Sequence, residues 1–270
     1  MTIIFFHGLR SSKKKLNYVY HDGKYHANNF IKLLKKIDRV MIPHIPYTDV
    51  YYYCADKVTR SMYSPITHIN YQDLSIDRYI ANLSIDRKKY PPPYIVMGHS
   101  NGIYFACQFA RQYKKDVKCI ISLDGSWIVK RLNKLRAMGW KEKGKIIPKI
   151  NNQKSLDHII DMIKLRKDNR YIDMMFDYIR SQHVRHCNEQ KYYKINIPFI
   201  TFRNFNSNSN QENFKYSNNV HNNNVWQEID RLNRFKNHVV YRLLDATHTV
   251  WMDEKHKNTI IQTLKWICIL

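Results

Sequence analysis

Glycine, proline and cysteine are scarce in this chain of 270 residues, which contains 7, 8 and 5 of them respectively. Five cysteines are an odd number and none forms a C-x-x-C pair, so we expect no disulfide framework and no zinc site. No apolar run approaches the roughly 18 residues of a membrane-spanning helix. A glycine-rich phosphate-binding loop is also missing, which argues against nucleotide hydrolysis. We therefore expect no metal and no cofactor.

Acidic residues are few relative to basic ones. Lysine and arginine number 45 against 22 aspartates and glutamates, which gives a formal net charge of +23. Such a field attracts nucleic acid and other anions. The chain is also rich in Lys, Asn, Ile and Tyr, a composition typical of AT-rich genomes such as those of large DNA viruses. Both origins of the charge, function and genome composition, remain open.

Hydrophobic residues make up 44% of the chain, enough for a sizeable core. Short apolar runs alternate with helical patterns, which predicts parallel strands joined by crossover helices. The predicted strands are 3–6, 39–45, 94–97, 117–123, 197–202 and 239–244. The predicted helices are 27–37, 71–88, one that follows residue 102, 225–234 and 253–268.

Residues 126–190 interrupt this alternation. They are mainly helical in pattern and contain 15 Lys and Arg against 7 Asp and Glu. We predict a helical insertion there, within a core formed by 1–125 and 191–270. Ten of the 21 residues in 204–224 are asparagine, which predicts a solvated loop. The apolar N-terminal segment is too short for a signal peptide and lacks a basic leader, so we expect a cytoplasmic or virion-packaged protein rather than a secreted one.

Two of the seven glycines flank a serine in Gly98-His99-Ser100-Asn101-Gly102. This stretch matches the G-x-S-x-G nucleophile elbow, in which a serine sits on a strained turn between a strand and a helix. An apolar run precedes it and a helical pattern follows. With so few glycines, an accidental match has a probability of roughly one in a hundred. Ser100 is the predicted nucleophile.

A serine hydroxyl needs a base to take its proton as it attacks, and imidazole suits that task. Of the 13 histidines, His248 lies between the last predicted strand and the last predicted helix. We predict that it is the base. His99 is less suitable because the residue before an elbow serine faces away from the substrate side. His44, His68, His183 and His186 show no metal-ligand spacing and are expected at the surface or in hinges.

On these residues the chain resembles the α/β-hydrolase superfamily. The elbow at Ser100, a His7-Gly8 pair after the first strand and His248 before the last helix follow the family's order. The resemblance implies a mostly parallel sheet with helices on both faces and a helical cap at 126–190. The first strand has the position of the family's third, so the sheet would be trimmed at its N-terminal side. The resemblance also implies an oxyanion hole formed by the backbone N–H groups of Asn101 and Leu9, with Arg10 beside Leu9.

The acid that orients the histidine is less clearly marked. The family usually places it after the strand that corresponds to 197–202, and residues 203–208 contain no aspartate. Some members place it one strand earlier, which favours Asp124 and gives the order Ser–acid–His. Glu212, Asp245, an asparagine in the acid's place, or no acid at all remain alternatives.

These residues predict a serine hydrolase that cleaves an ester, thioester or amide through an acyl-enzyme. Its substrate would be a small acyl compound, and the basic insertion favours an anionic one. The alternative is a catalytically weak hydrolase scaffold whose basic surface contacts nucleic acid non-specifically, as a nucleic-acid-associated or virion component. The sequence does not predict the oligomeric state.

Overall fold

A central sheet of six parallel strands organises the protein. The structure, a computed structural model, describes residues 1–9, 11–21, 24–50, 52–53, 56–66, 68–125, 150–190, 195–205 and 237–269. The strands of the sheet lie in the order β4-β1-β5-β6-β7-β8. Their bounds are β1 Thr2–Phe6, β4 Arg39–Met41, β5 Tyr94–His99, β6 Val117–Leu123, β7 Phe199–Phe205 and β8 His238–Leu244. A separate antiparallel hairpin pairs β2 (Tyr18–His21) with β3 (Lys24–Ala27).

The strand order creates one reversal of direction within the sheet. In sequence, β1 is followed by β4 on one side of it and then by β5 on its other side. The later strands β6, β7 and β8 are added in order beyond β5. In open parallel sheets, ligands bind outside the carboxyl ends of the strands at such a reversal. The first strand therefore has an interior position, as expected for the trimmed sheet, and the loops after β1 and β5 meet at the expected binding edge.

Helices cover both faces of the sheet. The helices are α1 Phe30–Ile37, α2 Lys57–Ser61, α3 Ile76–Asn82, α4 Gly102–Gln112, α5 Gln153–Arg166, α6 Asn169–Glu189 and α7 Glu254–Ile269. Alternate residues of a strand point to opposite faces, and in β1 Ile3 and Phe5 pack with α1 and α7. Ile4 and Phe6 pack on the other side with α3, α4, α5 and α6. The predicted parallel sheet with helices on both faces is confirmed.

The predicted helix 71–88 is wrong in its extent. The structure has a 3-10 turn at Tyr71–Leu74, and α3 ends at Asn82. The Ser75 hydroxyl accepts a hydrogen bond from the N–H of Arg78 and begins α3 afresh. Further on, Asp86 Oδ1 accepts from the backbone N–H groups of Lys88 and Lys89 and stabilises a turn instead of a helix.

Other boundaries also differ from the prediction. The strand predicted over 39–45 ends at Met41, because Pro43 and Pro46 lack the N–H that a continued ladder would need. The helix predicted over 27–37 begins at Phe30, whose N–H donates to Asn28 Oδ1, since β3 extends to Ala27. The predicted helix 225–234 lies outside the described residues.

Residues 150–190 of the predicted insertion form α5 and α6, and residues 126–149 lie outside the described part. Leu156, Ile163 and Phe176 pack into the same core cluster as α4. Helix α6 rests against α4, the helix that begins at the elbow, and α5 packs on α6. Among the described helices, none has both the length and the apolar content required to cross a membrane.

Candidate active site

The backbone at Ser100 is strained. Ser100 follows β5 and precedes α4 with a φ of 52°, a left-handed conformation that a serine rarely adopts. A side chain at either flanking glycine would collide with backbone. A Cβ at Gly102 would lie 2.2 Å from the carbonyl oxygen of Phe6, and one at Gly98 would lie 2.4 Å from Ile103 Cα. The elbow thus depends on both glycines.

The loop after β1 passes directly against this turn. A Cβ at Gly8 would lie 2.9 Å from Ser100 Cβ. Leu9 and Asn101 line the same cleft as Ser100. Within the described residues, no acceptor is bonded to the backbone N–H of Leu9 or of Asn101. Arg10 lies outside the described residues.

His248 and Asp124 are joined by a short hydrogen bond. His248 Nδ1 lies 2.6 Å from Asp124 Oδ2, and the two residues follow β8 and β6 at the same edge of the sheet. A carboxylate accepts, so Nδ1 carries the proton and Nε2 is left as the basic nitrogen. The imidazole is 58% exposed, whereas the carboxylate is 9% exposed. Asp124 therefore approaches His248 from within the protein.

Asp124 is held from its other side by β7. Its Oδ1 lies 3.1 Å from an Arg203 guanidinium nitrogen and accepts from the Asn204 N–H at 3.2 Å. Burial raises the pKa of the Asp124 carboxyl, but the hydrogen bond with His248 and the charge of Arg203 outweigh it and keep this pKa below the usual value. The carboxylate stays ionised at neutral pH. Neither β7 residue was predicted, although an arginine inside an otherwise apolar strand is a signal for a buried ionic partner.

Ser100 and His248 line one cleft of about 370 Å³. No hydrogen bond joins Ser100 Oγ to the imidazole; catalytic hydrogen bonds often tighten only when substrate is bound. Of the alternative acids, Asp245 is exposed, and the Nδ1 bond of His248 goes to Asp124 instead. Glu212 lies outside the described residues.

His99 supports the loop that carries His248. Its Nε2 lies 3.0 Å from the His248 carbonyl oxygen, and its ring contacts Trp251 with centroids 4.7 Å apart. Burial lowers the pKa of His99 to about 3, so the ring is neutral and Nε2 donates. His99 also forms part of the cleft wall, which the sequence analysis did not expect.

His183 of α6 is buried, contrary to the prediction of a surface or hinge position. Its Nδ1 lies 2.7 Å from Asn101 Nδ2, and its Nε2 lies 3.2 Å from the Tyr47 hydroxyl. Burial lowers the pKa of His183 to about 3. The neutral ring therefore accepts from the Asn101 amide. Sequence spacing carries no signal for this contact.

The cleft combines apolar walls with a few charged side chains. Its apolar lining consists of Leu9, Leu16, Phe176 and Trp251. Its charged lining consists of Lys15, Asp177 and Arg180. Within the described ranges, no group of three or more His, Cys, Asp or Glu side chains is arranged to hold a metal ion.

Comparison with solved structures identifies the architecture. The monoacylglycerol lipase of Paleococcus ferrophilus is similar with a TM-score of 0.56 at 11% identity, over 98% of this chain and 94% of the lipase. A thermophilic esterase from Thermogutta terrifontis is similar with a TM-score of 0.55 at 13% identity, over 99% of this chain and 90% of the esterase. The chain has the α/β-hydrolase fold.

A third similar structure is MenH from S. aureus, with a TM-score of 0.52 at 15% identity, over 98% of this chain and 94% of MenH. No protein-family model matches the sequence, and no curated protein matches it significantly. The likeness is therefore one of fold across nearly the whole chain, and the predicted α/β-hydrolase-like architecture is confirmed.

Proposed function

We propose that this α/β-hydrolase-fold protein is a serine hydrolase that cleaves an ester, thioester or amide through an acyl-enzyme. Ser100 is the nucleophile, His248 the general base and Asp124 the acid that orients it. The observation that carries the proposal is the His248–Asp124 hydrogen bond of 2.6 Å at the mouth of the cleft that Ser100 lines. With the Nδ1 proton donated to Asp124, Nε2 is the nitrogen that would receive the serine proton.

In the first half of the reaction, Ser100 Oγ attacks the acyl carbon while His248 Nε2 takes the hydroxyl proton. Asp124 remains ionised and stabilises the imidazolium. Collapse of the tetrahedral intermediate breaks the bond to the leaving group, which receives the proton from His248. Water then attacks the acyl-enzyme with His248 as base, and the carboxylic acid and free Ser100 are released.

The backbone N–H groups of Leu9 and Asn101 are the proposed oxyanion hole. Both line the cleft, and the close passage of Gly8 against Ser100 supports their convergence on the attacked carbonyl. Removal of one such donor costs about 2.7–4 kcal/mol of transition-state stabilisation. Because the donors are backbone groups, they are fixed by the elbow and by the β1 loop.

Turnover of short-chain acyl esters and thioesters tests this proposal. We expect wild-type protein to hydrolyse at least one of them and to accumulate an acyl adduct on Ser100, detected by mass spectrometry of the quenched reaction. Ser100→Ala should abolish both signals, and His248→Ala should lower the rate of acylation by several orders of magnitude. Turnover that survives Ser100→Ala would contradict the proposal.

Of the three charged side chains that line the cleft, Lys15 and Arg180 are basic and Asp177 is acidic, and this excess of positive charge favours an anionic acyl substrate. Lys15 lies in the 3-10 turn that follows β1, and Arg180 lies on α6, so the two basic side chains reach the cleft from different elements. Arg180→Gln should raise KM for a dicarboxylic monoester more than for the neutral ester of equal length. Arg185→Gln removes the same charge from an exposed position of α6 and should leave that ratio unchanged. If both variants change the KM ratio equally, the preference for the anionic ester comes from the overall charge of the protein and not from Arg180.

The net charge of +23 favours a second candidate, a scaffold of low turnover that binds nucleic acid, in the cytoplasm or within a virion. Such binding is driven by counterion release and weakens steeply with salt. Fluorescence anisotropy with an unrelated DNA duplex at 50 and 200 mM salt measures it. Tight, salt-sensitive binding without turnover of any acyl substrate would favour this candidate over the hydrolase.

A further inference from the structure

We propose that Arg203 is a positioning residue for the catalytic acid, which holds Asp124 ionised and aligned on His248. The inference rests on the proposed function, in which Asp124 orients the base. Arg203 lies on β7, and the family usually carries its acid after the strand that corresponds to β7. In this chain the acid, Asp124, follows β6 instead, and β7 would supply its counter-ion.

The contacts of Asp124 divide between its two oxygens. Oδ2 accepts from His248 at 2.6 Å, and Oδ1 faces Arg203 at 3.1 Å and the Asn204 N–H at 3.2 Å. The side chains of Arg203 and Asp124 are each 9% exposed. A carboxylate withdrawn from water needs such partners to remain charged. With Oδ1 held, Oδ2 has one orientation towards the imidazole.

The register of the sheet explains why Arg203 reaches this carboxylate. Leu123 of β6 is paired with Phe202 of β7, and the N–H of Asp124 donates to the Phe202 carbonyl oxygen at 2.8 Å. Arg203 is the next residue of β7, so it lies beside Asp124 across one strand spacing. The pair is therefore fixed by backbone pairing as well as by charge.

Two titratable side chains of the described residues contact Asp124, Arg203 from β7 and His248 from the loop after β8, and a third, His99 of β5, interacts with its charge. His99 is neutral because burial lowers its pKa to about 3. Arginine remains protonated at every pH of interest. Arg203 is accordingly the constant positive charge of this set, whereas the charge of His248 changes during the proposed reaction.

Loss of the guanidinium should make the carboxylate easier to protonate. In Arg203→Met, we expect the pKa of Asp124 to rise by at least one unit and the acid limb of kcat/KM to move to higher pH in the same direction. Arg203→Lys retains a cation, so the pKa of Asp124 in this variant should stay close to its wild-type value. Arg242 is paired with Arg203 in register on β8 but is exposed, so Arg242→Met is the matched control and should leave the limb in place.

The measurement that decides the inference is a carboxyl-carbon NMR titration of protein labelled in aspartate, with the Asp124 resonance assigned from Asp124→Asn. It needs no turnover, so its result is separate from that of the hydrolase assay. A raised Asp124 pKa in Arg203→Met, with recovery in Arg203→Lys, supports the role. An unchanged titration in folded Arg203→Met overturns it, even where stability falls, and so does a shift in Arg203→Lys as large as that in Arg203→Met. If Arg203→Met does not fold, the titration is made with the lysine variant and with Arg203→Gln, and identical Asp124 curves in these two variants overturn the inference.

Discussion

His183 Nδ1 and Asn101 Nδ2 lie 2.7 Å apart, which joins α6 to the residue that follows Ser100. Both residues are buried, and Tyr47 contacts the opposite nitrogen of the same ring. Asn101 also carries one of the two proposed oxyanion donors. The position of α6 is therefore coupled to the geometry of the elbow through a single neutral imidazole.

This buried imidazole makes stability depend on pH. The pKa of His183 is about 3 in the folded protein, below the value near 6.5 of an exposed histidine. Between these two pKa values His183 is protonated in the unfolded chain and neutral in the folded chain. The contribution of His183 to the free energy of unfolding is therefore fully present above about pH 6.5 and is lost as the pH falls towards 3. This one group contributes a slope of about 1.4 kcal/mol per pH unit within that window.

His183→Gln should reduce that slope in urea unfolding measured between pH 6.5 and 4.5, since glutamine does not titrate. His158 is exposed on α5, and His158→Gln is the control that should keep the wild-type slope. Equal slopes for the wild type and His183→Gln would contradict the assignment of a buried neutral ring.

The acid can be identified by paired substitutions. Asp124→Asn should lower kcat by roughly 10⁴-fold, because asparagine holds the imidazole in the wrong tautomer. Asp245→Asn should change kcat by less than about threefold, because the Nδ1 bond of His248 goes to Asp124. Near-normal turnover by Asp124→Asn would show that the assignment is wrong.

The elbow glycines should tolerate no side chain. In Gly102→Ala the added methyl would lie 2.2 Å from the Phe6 carbonyl oxygen, which cannot move without displacing β1. We expect a loss of stability at or above the usual 1–3 kcal/mol of overpacking, measured by thermal and urea unfolding. A Gly102→Ala protein as stable as the wild type would be inconsistent with this packing.

Local patterns in the sequence predicted the sheet and the elbow, because apolar runs and paired glycines are visible within short windows. Asp124 was favoured only by the resemblance to the family's order, with Glu212 and Asp245 among the alternatives. The contacts of His183 with Asn101 and of Asn204 with Asp124 were missed, since their partners are 82 and 80 residues apart. The β2–β3 hairpin was missed for another reason. The dipeptide sequence Asp-Gly at 22–23 is a typical signal for a two-residue hairpin connection, and the flanking residues His21 and Lys24 are paired, so this signal was available in the sequence.

The central claim is that Ser100 is an activated nucleophile, and stoichiometric labelling with a fluorophosphonate tests it most directly. We predict one label per chain on folded wild-type protein, mapped to Ser100, with no label on Ser100→Ala and a much slower reaction of His248→Ala. Ser11 lines the same cleft, so Ser11→Ala is the matched control and should label at the wild-type rate. Folded wild-type protein that fails to label, or a label that persists in Ser100→Ala, would contradict the account.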